Sequence, residues 1–157
     1  MAKPLDCHDR ALGLLAVRPR SRRELRSRLL RAGFEVEEVE AELTCLEAVG
    51  LVDDDEFARQ VVQHEVTARR SGRRAVTSRL YASGLDRETI ERSLEDLPES
   101  ADEERAVELA RTRVARLAHA TPEQAYGRLV GFLARRGYAP STARHAARIA
   151  LDVDAEE

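Results

Sequence analysis

The chain has 157 residues, with 26 Lys plus Arg against 29 Asp plus Glu, two Cys, three Tyr, three Phe and no Trp. Apolar residues make up 43% and charged residues 35%, which supplies a buried core and excludes wholesale disorder, and the length suits one domain or a short array of small repeats. No run of about 18 apolar residues occurs, and Met1–Arg10 lacks the apolar stretch of a secretory signal, so no membrane association and a cytoplasmic location are expected; Cys7 and Cys45 are too few and too far apart for a disulfide framework.

In chain order the periodicity is helical throughout. An amphipathic helix is expected over roughly Asp9 to Arg18. Ser21 with Glu24 then reads as a capping box opening a helix that carries Leu25, Leu29 and Leu30 as its apolar positions and stops at Gly33. The next helix carries Val36, Val39, Leu43 and Leu46 at spacings of three and four and ends at Gly50. Further helices follow over about Asp54–Arg70, after Gly72 up to Gly84, and over Asp86–Asp96. Another runs from about Asp102 to Ala118, and Thr121-Pro122-Glu123-Gln124 forms a second capping box with Pro in the first turn. Gly137 closes that helix. No alternation of strand type with hairpin turns appears, so the fold class is all-α.

These elements repeat. With Ser21–Leu46 laid over Gly72–Leu97 at an offset of 51, ten of 26 positions are identical, among them Arg22/Arg73, Arg23/Arg74, Ser27/Ser78, Gly33/Gly84 and Leu46/Leu97. A third copy fits at a further offset of 53, through Leu129, Leu133, Gly137, Tyr138, Ala143 and Ala147. The unit is three helices in about 50 residues, too small to bury its own apolar faces alone, so three tandem three-helix repeats forming an elongated, curved array are expected. The repeats are assigned to 9–50, 53–97 and 101–151, with flexible tails at 1–8 and 152–157. The Ala-rich third repeat is expected to pack most weakly.

Charge comes in blocks: Arg18–Arg31 holds seven Arg and one Glu, Glu35–Glu47 six Glu and no cation, Arg69–Arg79 five Arg, and Arg111–Arg148 eight Arg against Glu123 alone. Separate basic and acidic faces suit a macromolecular partner better than a small substrate. Chemistry finds little support. His64-Glu65 begins like a zinc-protease helix, but the second histidine position is Ala68. Asp53 to Glu56 are consecutive acids whose side chains diverge on a helix and serve better as cap and dipole complement than as cation ligands. Cys7-His8, His119 and His145 have no companions at usable spacing, and no Walker lysine, GxGxxG or nucleophile elbow occurs. A protein that is not an enzyme, without metal or cofactor, is expected.

Direct binding of single- or double-stranded DNA through the Arg-rich helices is the alternative, with Arg69, Arg70, Arg73 and Arg74 forming a compact basic turn around Gly72. Against it, single-strand binders stack bases on aromatics, whereas Phe34, Tyr81 and Tyr138 are expected in interior positions near helix ends.

The run Leu14-Leu15-Ala16-Val17-Arg18-Pro19-Arg20-Ser21-Arg22-Arg23-Glu24-Leu25, followed by Leu29, Gly33, Leu46, Gly50-Leu51-Val52-Asp53-Asp54 and Phe57-Ala58, resembles the signature of the RecX regulatory proteins, and Gly72-Arg73-Arg74, Leu80 and Gly84-Leu85 continue it. The resemblance covers Ala11 to Leu97 well and the rest by helical layout. It implies three tandem three-helix repeats and a bacterial cytosolic modulator that lies along the groove of the RecA filament on single-stranded DNA. Such a modulator blocks filament growth and lowers ATP hydrolysis, strand exchange and co-protease activity, restraining recombinational repair and the SOS response. The residues expected to contact the filament or DNA are Arg18, Arg20, Arg22, Arg23, Arg26, Arg69, Arg70, Arg73 and Arg74, with Asp53 and Asp54 as cap first and partner contact second. A monomer is expected.

Overall fold

The computed structural model describes residues 4–151, which form nine α-helices and one 3₁₀ turn and no strand. The helices are α1 (Cys7–Val17), α2 (Arg22–Arg31), α3 (Val36–Ala48), α4 (Asp54–Thr67), α5 (Arg73–Ala82), α6 (Arg87–Leu94), α7 (Glu99–Val114), α8 (Pro122–Arg135) and α9 (Pro140–Ala150), with the 3₁₀ turn Ala115–Leu117 after α7. They come as three successive triplets, as the repeat requires. The expected tail at 152–157 and the first three residues lie outside the described part. Cys7 and His8 do not belong to a tail: Asp6 accepts the Asp9 amide at 2.8 Å, α1 starts at Cys7, and the Cys7 side chain is buried.

Two compact units result, and their limits do not follow the triplets. One consists of the chain up to Gln60 together with Leu80–Arg92; the other consists of Val61–Arg79 and Ser93 onward.

The core of the first unit is the face that the three- and four-residue spacing marks out. Leu25 and Leu29 of α2, Val39, Leu43 and Leu46 of α3, and Cys7 and Ala11 of α1 are buried together with Val52, and Leu12, Leu15, Leu30 and Phe34 pack around them. Each fully buried leucine stabilises the fold by about 1.5–3 kcal/mol. Helix ends are set locally. Ser21 accepts the Glu24 amide at 3.2 Å, but Glu24 does not reach back to complete the box, because its carboxylate is taken by three arginines. Thr121 and Gln124 do make both bonds of their box.

In the second unit Ala106, Leu109 and Ala110 of α7 meet Leu129 and Leu133 of α8, Tyr138, and Ala143, Ala146 and Ala147 of α9. The Ala-rich third triplet thus contributes a buried apolar cluster. Small side chains on facing helices let backbones approach closely, and Val107, Val114, Tyr126, Val130 and Phe132 close the rim. Phe132 in turn carries the Arg113 guanidinium 4.1 Å from its ring centroid.

Candidate partner-binding surface

Two helix N-termini bear the candidate arginines, and each is fixed by an aspartate from the following triplet. In the first unit, the Arg22 amide donates to Asp54 at 2.9 Å, and the Ser21 hydroxyl donates to the Ser83 carbonyl at 2.6 Å. In the second unit, the Arg73 amide donates to Asp102 at 2.8 Å, the Gly72 amide to the Arg136 carbonyl at 2.8 Å, and the Arg74 amide to the Gly137 carbonyl at 3.1 Å. One device thus serves α2 and α5: a carboxylate supplied from outside the helix satisfies the first orphan amide and complements the positive helix end.

This divides the Asp53 and Asp54 pair. Asp53 caps its own helix by accepting the Glu56 amide at 3.1 Å, whereas Asp54 reaches α2. Burial pushes the Asp54 carboxyl above its ordinary range. The Arg22 amide opposes that, and the nearby Glu47 and Asp86 charges add to it. These acids, with Asp53, Asp55 and Thr89, line a cleft of about 420 Å³ that Arg22 borders. A folded-state pKa above the unfolded one means that the ionised group opposes folding at neutral pH, and that this opposition is relieved as pH falls through the raised value. Asp54→Asn keeps the acceptor and removes the charge. It is therefore expected to melt no lower than the parent at pH 7, with its advantage shrinking in melts at pH 4; a lower melting point at pH 7 would contradict this account.

Few of the predicted arginines are free. Arg20 is buried, its Nε bonded to the Leu14 carbonyl at 3.1 Å and its Nη1 to Glu24 at 2.7 Å, so it holds α1 to α2. Arg18 is exposed yet clamps the same carboxylate at 2.5 Å, and Arg28 joins at 3.1 Å. Burial raises the Glu24 carboxyl, and the hydrogen bonds from Arg18, Arg20 and Arg28 together bring it below the usual range. Arg22 bonds Glu40 at 2.9 Å and pairs with Glu47, while Arg26 bonds Glu40 at 2.5 Å. These two arginines hold the Glu40 carboxyl down, Arg26 foremost. The basic face of α2 is thus interlocked with the acidic face of α3. Arg73 donates from Nε to the Leu97 carbonyl at 3.0 Å, and Arg69 pairs with the buried Glu65 at 3.4 Å.

What remains available is Arg23, Arg70 and Arg74, all exposed and without an ion pair among the described residues. Arg70 stands in a left-handed conformation at φ 53°, unusual for a non-glycine residue. Its turn is pinned from both sides: the Tyr138 hydroxyl donates to the Arg70 carbonyl and Arg136 to the Arg69 carbonyl, each at 2.8 Å. Two further sets were not among the expected contact residues. Arg111, Arg116, Arg128, Arg135, Arg144 and Arg148 in the third triplet are exposed and likewise unpaired. Tyr81, expected inside, is 55% exposed. It lines a cleft of about 410 Å³ with Arg23, Ser27, Arg28, Arg31 and the Ser83–Gly84 turn.

The arrangement offers charge and surface, and no helix among the described residues is long and apolar enough to cross a membrane. Comparison with known proteins agrees with the resemblance. Residues 7–44 match the model of the RecX first three-helix domain, and residues 101–146 that of the RecX third three-helix domain. A regulatory protein RecX of Amycolatopsis mediterranei is 39% identical, covering 80% of this chain and 71% of that protein. One from Thermobifida fusca is 34% identical over 99% of this chain and 86% of its own. The crystal structure of RecX from Lactobacillus salivarius shares the fold, with a TM-score of 0.81 at 19% identity, covering 94% of this chain and 95% of that one. Helical layout, repeat motifs and these matches converge, and the chain belongs to the RecX family of regulatory proteins.

Proposed function

We propose that this protein is a non-catalytic regulator that docks on the RecA filament assembled on single-stranded DNA and restrains its ATP hydrolysis, strand exchange and co-protease activity. Membership of the RecX family supports the reading. The observation that carries it is the division between paired and free charge. Arg18, Arg20, Arg22 and Arg26 are neutralised by Glu24, Glu40 and Glu47, which leaves the α2–α3 face nearly balanced and ill suited to a bare duplex. Free cations are spread instead over Arg23, Arg70, Arg74 and the third triplet. Scattered cations beside acidic clefts suit a partner of both signs that repeats along its length, where individually weak contacts add through effective concentration. Direct DNA binding through the α2 face, the other reading of the Arg-rich helices, would require breaking those pairs.

The test is the steady-state ATPase of RecA on single-stranded DNA with the chain at substoichiometric amounts. Inhibition is expected, and Arg70→Glu combined with Arg74→Glu should raise the concentration needed about ten-fold while leaving helical circular dichroism unchanged. Unchanged potency of the double variant would remove these residues from the interface. Absence of any effect by the parent protein, together with tight binding to DNA alone at about 0.15 M salt, where weak phosphate contacts are mostly lost, would favour the direct reading.

A further inference from the structure

The Tyr81 cleft asks for a ligand that the filament contacts above do not specify. Tyr81 lies in the last turn of α5 with more than half its surface in water, although large aromatics gain by burial. Around it stand Arg23 and Arg31, both exposed and neither paired with a carboxylate among the described residues, and Arg28, which is anchored by Glu24 at 3.1 Å. The Arg23 stem is seated over the Gly84 turn: a Cβ built on Gly84 would lie 2.6 Å from Arg23 Cδ. That contact positions the Arg23 side chain along the cleft. Ser27 adds a hydroxyl between Arg23 and Arg31 on the same helix.

An exposed ring flanked by unpaired guanidinium groups is the combination that receives an unpaired base together with its phosphates: the π-face accepts any base, and the cations follow the backbone. A duplex has no free base to offer the ring, and an acidic peptide has no flat π-surface. We infer that the first unit carries a single-strand nucleic-acid subsite in which one base stacks on Tyr81 and the adjoining phosphates meet Arg23 and Arg31. The subsite holds for the chain alone and does not depend on docking to a recombinase.

The probe is an oligo-dT of about 15 nucleotides, with an abasic oligomer of the same length as control, each followed by fluorescence anisotropy at low salt. Tyr81→Ala is expected to weaken oligo-dT binding about ten-fold, a typical loss for one stacked base, and to leave binding of the abasic strand unchanged. Arg23→Glu with Arg31→Glu should weaken both strands and flatten the salt dependence. The parent chain has no tryptophan, so Tyr81→Trp supplies a single reporter, and its emission should be quenched by oligo-dT and not by the abasic strand. Equal affinity of Tyr81→Ala and parent for oligo-dT, unquenched emission at saturation, or no binding of oligo-dT by the parent would each overturn the inference. Because Tyr81 is exposed, the variants are expected to keep the parent's helical signal, and the RecA ATPase assay reads the filament proposal separately.

Discussion

Replacing Asp102 by alanine is expected to lower stability by about 3 kcal/mol, the larger part from a charge left alone inside the second unit. Asp102 is 5% exposed. One carboxylate oxygen accepts the Arg73 amide at 2.8 Å, and the other pairs with Arg105. Arg105 is in a tight position: its side chain is 20% exposed, its Nε and Nη1 atoms are buried without a partner, and its remaining bond is a long one to the Ser71 carbonyl at 3.4 Å. Truncating Asp102 strips that guanidinium of its counter-charge and uncaps α5 in one step, and removal of one partner from a largely buried pair is typically more damaging than removal of both. In a chain of this length a loss of about 3 kcal/mol corresponds to about 6–12 °C in thermal melting. Asp102→Asn should fall between, since it can still accept from Arg73 but no longer balances Arg105. Asp54→Ala, the same position in the first unit, should lose only about 1 kcal/mol, the usual value of a lost cap, because Asp54 has no cation of its own to abandon. Near-equal melting of Asp102→Ala and Asp54→Ala would show that the cap, and not the charge pair, dominates at both places.

That contrast marks where the sequence was legible. Local rules sufficed for the helix ends: Ser21 and Thr121 accept the amides that capping predicts, and Gly33, Gly50, Gly84 and Gly137 all sit at positive φ. The core was equally open to reading, since Leu25, Leu29, Leu43 and Leu46 follow helical spacing and are buried. Asp54 and Asp102 were not, because their amide partners lie 32 and 29 residues away and no local pattern encodes such a bond. The charge blocks announced basic and acidic helices but not that Arg22 and Arg26 would turn to Glu40 and Glu47 rather than to a partner. The burial of Arg20 was not legible for a similar reason: it depends on a carbonyl, that of Leu14, supplied by the preceding helix. Tyr81 shows how a repeat can mislead. At the offset of 51 it takes the place of Leu30, which packs against the first core, yet Tyr81 itself faces water. The register itself is unchanged, since Leu80 beside it, the counterpart of Leu29, is fully buried.

A second large effect is expected at Gly137, and comparison with Gly33 separates its two causes. Both adopt left-handed conformations, at φ 90° and 96°, so alanine at either position carries a conformational cost of about 1–2 kcal/mol. Around Gly33 nothing lies within 4 Å of an added Cβ. At Gly137 that atom would lie 2.5 Å from the Ala75 amide nitrogen and collide with the Ala75 side chain. The obstacle is mainly helix backbone, which cannot swing aside as a long side chain can. To make room, α5 must draw back from the end of α8, endangering the Gly72 bond to the Arg136 carbonyl and the Arg74 bond to the Gly137 carbonyl. Two backbone hydrogen bonds at about 1 kcal/mol each, added to the conformational part, bring Gly137→Ala to about 3–4 kcal/mol. Gly84→Ala should be intermediate, because its added methyl meets only the movable Arg23 side chain. Urea denaturation of the three variants should therefore rank Gly137 above Gly84 above Gly33, and equal losses would mean that backbone conformation alone governs these turns. The ranking also bears on docking, since the junction that Gly137 makes possible holds the turn presenting Arg70 and Arg74. Gly137→Ala is accordingly expected to weaken filament inhibition at temperatures where the chain remains folded, and Gly33→Ala is not.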